Sequence, residues 1–69
     1  MSQIEIILNG SKKLLPRAMT IADLVSELEL DIKKIAVEKD LEIVIPSQLK
    51  KTLLENGSKI EIVHFIGGG

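Results

Sequence analysis

Three glycines, Gly67-Gly68-Gly69, follow directly on the apolar run from Ile60 to Ile66. Average glycine usage is about 7%, so three in a row is unusual. Glycine has no Cβ, and a glycine segment is thin enough to thread a narrow channel. A carboxylate at its end, on Gly69, could then be presented to another protein's active site. That group has an ordinary pKa of about 3.3–3.7 and is ionised at neutral pH, which makes it a poor electrophile until a leaving group is attached. The other reading of the same residues is a frayed terminus or a linker remnant.

No other residues form a chemical constellation. There is one histidine, His64, and no cysteine. Disulfides, cysteine nucleophiles and thiolate metal sites are therefore excluded. The acidic residues are scattered over turns and a helix face, with no paired-carboxylate motif. No catalytic side chain and no metal ligand is assigned. His64 shares the strand parity of Ile60 and Ile62 and has no partner motif. It reads as structural or partly solvated, with proton transfer the lesser alternative.

The elements that would position the glycines follow from periodicity. Ile4, Ile6 and Leu8 alternate with Gln3, Glu5 and Ile7, the period of a strand. Asn9-Gly10 is a hairpin turn signal, and Lys12 to Leu15 is the returning strand, limited by Pro16. Thr20-x-x-Asp23 reads as a capping box. Ile21, Leu24, Val25 and Leu28 form one apolar helix face, with Asp23, Ser26, Glu27 and Glu29 opposite. Ile35 to Glu38 and Ile43 to Ile45 read as two strands joined by a turn over Lys39 to Glu42. Pro46 ends the second. Ser47 is expected to cap a brief helical turn that puts Leu49 and Leu53 into the core. Asn56-Gly57 is another turn, and Lys59 to Ile66 the last strand.

At 69 residues the chain makes one small domain. Its one Phe, with no Tyr and no Trp, dictates an aliphatic core. The order hairpin, helix, strand pair, final strand is an α+β pattern. It predicts a β-grasp: a mixed sheet of four to five strands on one helix, with the first and last strands side by side. The domain is expected over residues 1–66, and a flexible glycine tail over 67–69. A net charge of −1, with no basic stripe and no stacking aromatics, argues against nucleic-acid binding. No apolar run approaches membrane-span length, and no leader pattern opens the chain. A cytoplasmic protein, monomeric when free, is the expectation.

Strand parity also suggests a partner surface. If Ile60, Ile62 and Ile66 face the helix, Val63 and Phe65 face away from it. Ile7 likewise opposes Ile4, Ile6 and Leu8, and Val44 opposes Ile43 and Ile45. Ile7, Val63 and Phe65 are therefore expected to dock a partner, since aromatic residues are enriched at interfaces.

These residues resemble the ThiS family of ubiquitin-like sulfur carriers, which serves thiazole formation in thiamin biosynthesis. The resemblance covers nearly the whole chain. It runs through Asn9-Gly10, Thr20-Ile21-Ala22-Asp23-Leu24, Ile35-Ala36-Val37-Glu38, Ile45-Pro46 and Asn56-Gly57. Its most specific part is Ile60-Glu61-Ile62-Val63-His64-Phe65-Ile66 running into the glycines. The chain departs from the family at Lys39-Asp40-Leu41-Glu42, where members usually have Asn-Gly. It departs again at Ser47-Gln48-Leu49, where many have an Arg and a nearby Trp. The resemblance implies a carrier protein and not an enzyme: a ubiquitin-activating-type enzyme, the partner expected at Ile7, Val63 and Phe65, adenylates Gly69 with ATP and Mg²⁺, and the protein itself holds no cofactor. A persulfide protein then supplies sulfur, and the Gly69 thiocarboxylate passes it to thiazole synthase. Gly67 and Gly68 would give the tail access. A molybdopterin-synthesis carrier, a protein-conjugating modifier and a passive binding module remain alternatives. Carriers for molybdopterin usually approach their glycines through a Pro-rich tail, and this chain has no proline after Pro46.

Overall fold

A computed structural model describes residues 3–65. Its elements are β1 (Ile4–Leu8), β2 (Ser11–Leu15), α1 (Ile21–Glu27), β3 (Ile35–Lys39), β4 (Glu42–Val44) and β5 (Lys59–His64). Short 3-10 turns occupy Ile32–Lys34 and Pro46–Gln48. The strands form one sheet in the order β2-β1-β5-β3-β4. β1 and β5 lie parallel at the centre and the other pairs are antiparallel. This is the expected β-grasp, with five strands among the described residues. The expected tail over residues 67–69, like Ile66, lies outside them.

The helix forms where its cap and its apolar face agree. Thr20 Oγ1 accepts from the Asp23 amide, and Asp23 Oδ2 accepts from the Thr20 amide, both at 3.1 Å. Ile21, Leu24 and Val25 are buried. The helix closes with Glu29 in the left-handed region, φ 60°. The Leu30 amide then donates to the Val25 carbonyl, and the Glu29 amide to that of Ser26. These bonds satisfy carbonyls that the helix end would otherwise leave bare.

The core is aliphatic, as the composition requires. Ile6, Ile21, Leu24, Leu54 and Ile60 are almost completely enclosed. Ser58 is the one buried polar residue among those described, and its hydroxyl accepts from the Glu55 amide at 2.9 Å.

Three expectations are corrected. Val44, expected to face away from the helix, packs against the core, while Ile43 and Ile45 are exposed. The register explains the inversion: Val44 sits opposite the buried Val37, and Ile43 opposite Glu38. Leu53 is 59% exposed, and Leu54 is buried in its place. The chain there is extended: Leu53 bridges Thr20, and the Leu54 amide donates to the Met19 carbonyl. Adjacent side chains of an extended segment point to opposite sides. Ser47 caps nothing. The turn begins after Ile45 with Pro46 in its first position and has no side-chain cap.

The β3–β4 turn carries a cost. Asp40 and Leu41 both have positive φ, at 51° and 73°, and Leu41 is 84% exposed. A left-handed residue with a Cβ costs about 1–2 kcal/mol, while glycine's extra chain entropy returns about 0.5–1 kcal/mol of that. Leu41→Gly is therefore expected to stabilise the fold by about 0.5–1 kcal/mol. A thermal melt would show it, and an unchanged or lower melting temperature would contradict the strain argument.

Candidate functional site

The strand that delivers the glycines is the central one. β5 is hydrogen-bonded along β3 from Lys39 to Ile35, and the Phe65 amide extends the pairing by donating to the Lys34 carbonyl at 2.8 Å. On its other side the support is shorter, because β1 ends at Leu8 opposite Ile60.

Side chains from two turns complete the hold on β5, and one from a third ties the turn before it to β1. Asn9 has φ 48° and follows the last residue of β1. Its amide donates to the Ile60 carbonyl, and its Oδ1 accepts from the Ile62 amide, both at 2.8 Å. At the start of β5, Asp40 Oδ1 accepts from the Lys59 amide at 3.0 Å, and the Asp40 amide donates to the Lys59 carbonyl. Asn56 Oδ1 accepts from the Glu5 amide at 2.8 Å and joins the turn before β5 to β1. In the sequence these residues read only as turn formers. The missed signal is that Asn and Asp carry an acceptor that can stand in for a strand carbonyl.

Asp40 is also paired with Lys39 Nζ at 3.1 Å, and Glu55 approaches the same ammonium at 3.6 Å. The hydrogen bond from the Lys59 amide, with that from Lys39 second, lowers the Asp40 pKa. The hydrogen bond to Asp40 raises that of Lys39 against a smaller opposing desolvation, with Glu55 adding to the rise. A depressed folded pKa means the ionised Asp40 stabilises the fold above the ordinary carboxylate pKa of about 3.9. That stabilisation is lost as pH falls through the lower folded value. Asp40→Asn keeps the acceptor for the Lys59 amide and removes the charge. Its melting temperature is therefore expected to fall less than the parent's on acidification below about pH 4. Parallel melts across that range test this, and identical acid limbs would contradict it.

Val63 and Phe65 are exposed, at 58% and 53%. Val63 lies opposite the exposed Ala36 of β3. Ile7 is only half-buried, between Lys12 of β2 and Lys59 of β5. Lys59 precedes Val63 by four residues, so Ile7 stands about 13 Å back along the strand direction. Glu61 intervenes, and the structure therefore groups Val63 with Ala36 and sets Ile7 apart. Glu61 lies opposite Glu38. His64 is exposed and lies opposite Ile35. Gly67, Gly68 and Gly69 lie outside the described residues.

Sequence reading overlooked the surface on the far side of β3. There Ile43, Ile45, Pro46 and Phe65 line a groove of about 550 Å³, with Ile35 and Leu49 also contributing. Among the described residues, no group of three or more His, Cys, Asp or Glu could hold a metal ion. No helix there is long and apolar enough to cross a membrane.

Known proteins resemble this chain over most of its length. The model of the ThiS family matches residues 2–69. Thiazole synthase of Paramagnetospirillum magneticum is 41% identical over 66 residues, which are 96% of this chain and 20% of that protein. The chain thus spans about a fifth of that relative. The sulfur carrier protein ThiS of Bacillus subtilis is 40% identical over 50 residues, 72% of this chain and 76% of the relative. The crystal structure of the thiamine biosynthesis protein ThiS from Geobacter metallireducens superposes with a TM-score of 0.83 at 22% identity, covering 96% of this chain and 100% of that one. A solution structure of a thiamine biosynthesis protein from the same organism gives 0.81 at 22% identity, covering 96% and 88%. The two structures speak for the β-grasp fold alone. With the family match extending from residue 2 through Gly69, the chain belongs to the ThiS family.

Proposed function

We propose that this protein carries sulfur for thiazole formation in thiamin biosynthesis, as a thiocarboxylate on Gly69. The observation that carries the reading is the family match running through the three glycines. The names of the relatives, a ThiS sulfur carrier and a thiazole synthase, support the pathway.

The chemistry needs an activated carboxylate. A Gly69 carboxylate oxygen attacks the α-phosphorus of ATP on a ubiquitin-activating-type enzyme, and pyrophosphate leaves. The terminal sulfur of a persulfide protein then attacks the acyl carbon, and AMP leaves. A second thiol cleaves the resulting acyl disulfide, forming a protein disulfide and freeing the thiocarboxylate. ATP and Mg²⁺ belong to the activating enzyme. The carrier contributes a thin tail, with Gly67 and Gly68 letting it enter a narrow channel, on a firmly held strand. Val63 and Phe65, and Ile7 further back, are the residues proposed to meet the activating enzyme.

Intact-mass analysis after incubation with an activating enzyme, ATP and a persulfide donor tests the reading. The expected result is a shift equal to one oxygen-for-sulfur exchange. A folded protein with an intact Gly69 that shows no shift would favour a passive binding module.

A further inference from the structure

We infer that the groove between β3 and the β4–Pro46 segment docks an extended, apolar, carboxylate-bearing segment of the thiazole synthase. The inference rests on the sulfur-carrier reading and on its acceptor. Three features select this occupant.

The first is backbone. β3 runs from Ile35, but β4 pairs with it only from Val37 onward. The residue that would come opposite Ile35 is Pro46, which has no N–H to give. Ile35 therefore has no ladder partner on the groove side, and the backbone of an extended segment can pair with it there.

The second is charge. The only charged residues lining the groove among those described are Lys33 and Lys50, both exposed. The outer sheet face carries both signs, with Glu38 opposite Glu61 and with Lys12 and Lys59 flanking Ile7. An acidic segment thus meets only positive charge in the groove and mixed charge on the outer face.

The third is reach. Phe65 lines the groove, and Gly69 lies four residues beyond it, at most about 14 Å away. An enzyme acting on Gly69 must cover the surface around Phe65. In the Paramagnetospirillum magneticum relative, a region like this chain is part of a thiazole synthase, so a carrier-like unit and that enzyme share one polypeptide.

The test is a titration of ¹⁵N-labelled carrier with thiazole synthase, comparing the parent with K33E/K50E, K33R/K50R and Ile43→Asp. Both lysines and Ile43 are exposed, so the variants should remain folded, and a melt of each checks this. We expect shifts at the Ile35, Ile45 and Phe65 amides. K33E/K50E should weaken binding about 10-fold or more and lose its salt dependence, with K33R/K50R close to the parent. Ile43→Asp should weaken it similarly. Shifts confined to Ile7, Glu61 and Val63, with K33E/K50E binding like the parent, would overturn the inference, as would absence of binding by the parent. The intact-mass assay on the parent keeps the two ideas separable. Sulfur loading without groove shifts rejects the groove alone. Groove shifts without loading reject the carrier reading.

Discussion

Removing Gly69 is expected to abolish sulfur loading while leaving the domain's thermal unfolding unchanged. Deletion moves the terminal carboxylate back by one residue, about 3.8 Å between Cα positions. A misplacement of about 1 Å at a reacting group can cost about 100-fold in rate, so the loss should exceed that. The last fully buried core residue among those described is Ile60, with Ile62 packed against the core beyond it. Folding should therefore be indifferent to the change. Gly68→Ala and Gly68→Val form a graded series against the deletion. If the tail must thread a channel, Val should be worse than Ala, and both should load less well than the parent. Loading is followed by intact mass and folding by thermal melts. A truncated chain that loads at the parental rate would remove Gly69 from the chemistry. Equal loading by the Val variant would remove the need for a thin tail.

How much of this was legible in the sequence depends on how strongly each segment was patterned. The helix was, because the Thr20–Asp23 capping box and the Ile21, Leu24, Val25, Leu28 spacing agree on one start and one buried face. β1 was, because Ile4, Ile6 and Leu8 alternate with other residues over a full strand. The Ile43-Val44-Ile45 run was not. Three apolar residues in a row have no period, and only pairing with β3 decides that Val44 faces inward. That one inversion hid the groove, since it removed Ile43 and Ile45 from the surface. Leu53 failed for a related reason. A helical spacing was read across a stretch that Pro46 opens as a 3-10 turn and that ends extended. The glycines were visible at once, but the hold on the strand before them was not. Asn9, Asp40 and Asn56 act through side-chain acceptors on residues far away in sequence, and no local pattern marks such a bond.

Asn9→Ala is expected to cost about 2–3 kcal/mol, a large share of the roughly 3–10 kcal/mol available to a domain of this size. Two losses combine. Alanine at φ 48° takes on the left-handed penalty that asparagine tolerates better, about 1 kcal/mol. The Ile62 amide also loses its acceptor where β1 has already ended, for about 1–2 kcal/mol. The melting temperature should fall by about 10–20 °C. Asn9→Gly separates the terms, because glycine accepts the left-handed backbone but cannot accept from Ile62. It should lie between the parent and Asn9→Ala. Hydrogen exchange locates the damage. The Ile62 amide should lose protection in both variants, while Val37 and Leu24 follow only the global change. Loss of protection spread evenly over the sheet would mean that Asn9 matters as a turn residue and not as an anchor. Because β5 is the last element before Phe65 and the glycines, loosening it at Ile62 should also slow sulfur loading by Asn9→Gly at temperatures where the variant is fully folded. The strand would then present Gly69 from a wider range of positions, and the four residues after Phe65 are too few to absorb the difference without losing alignment.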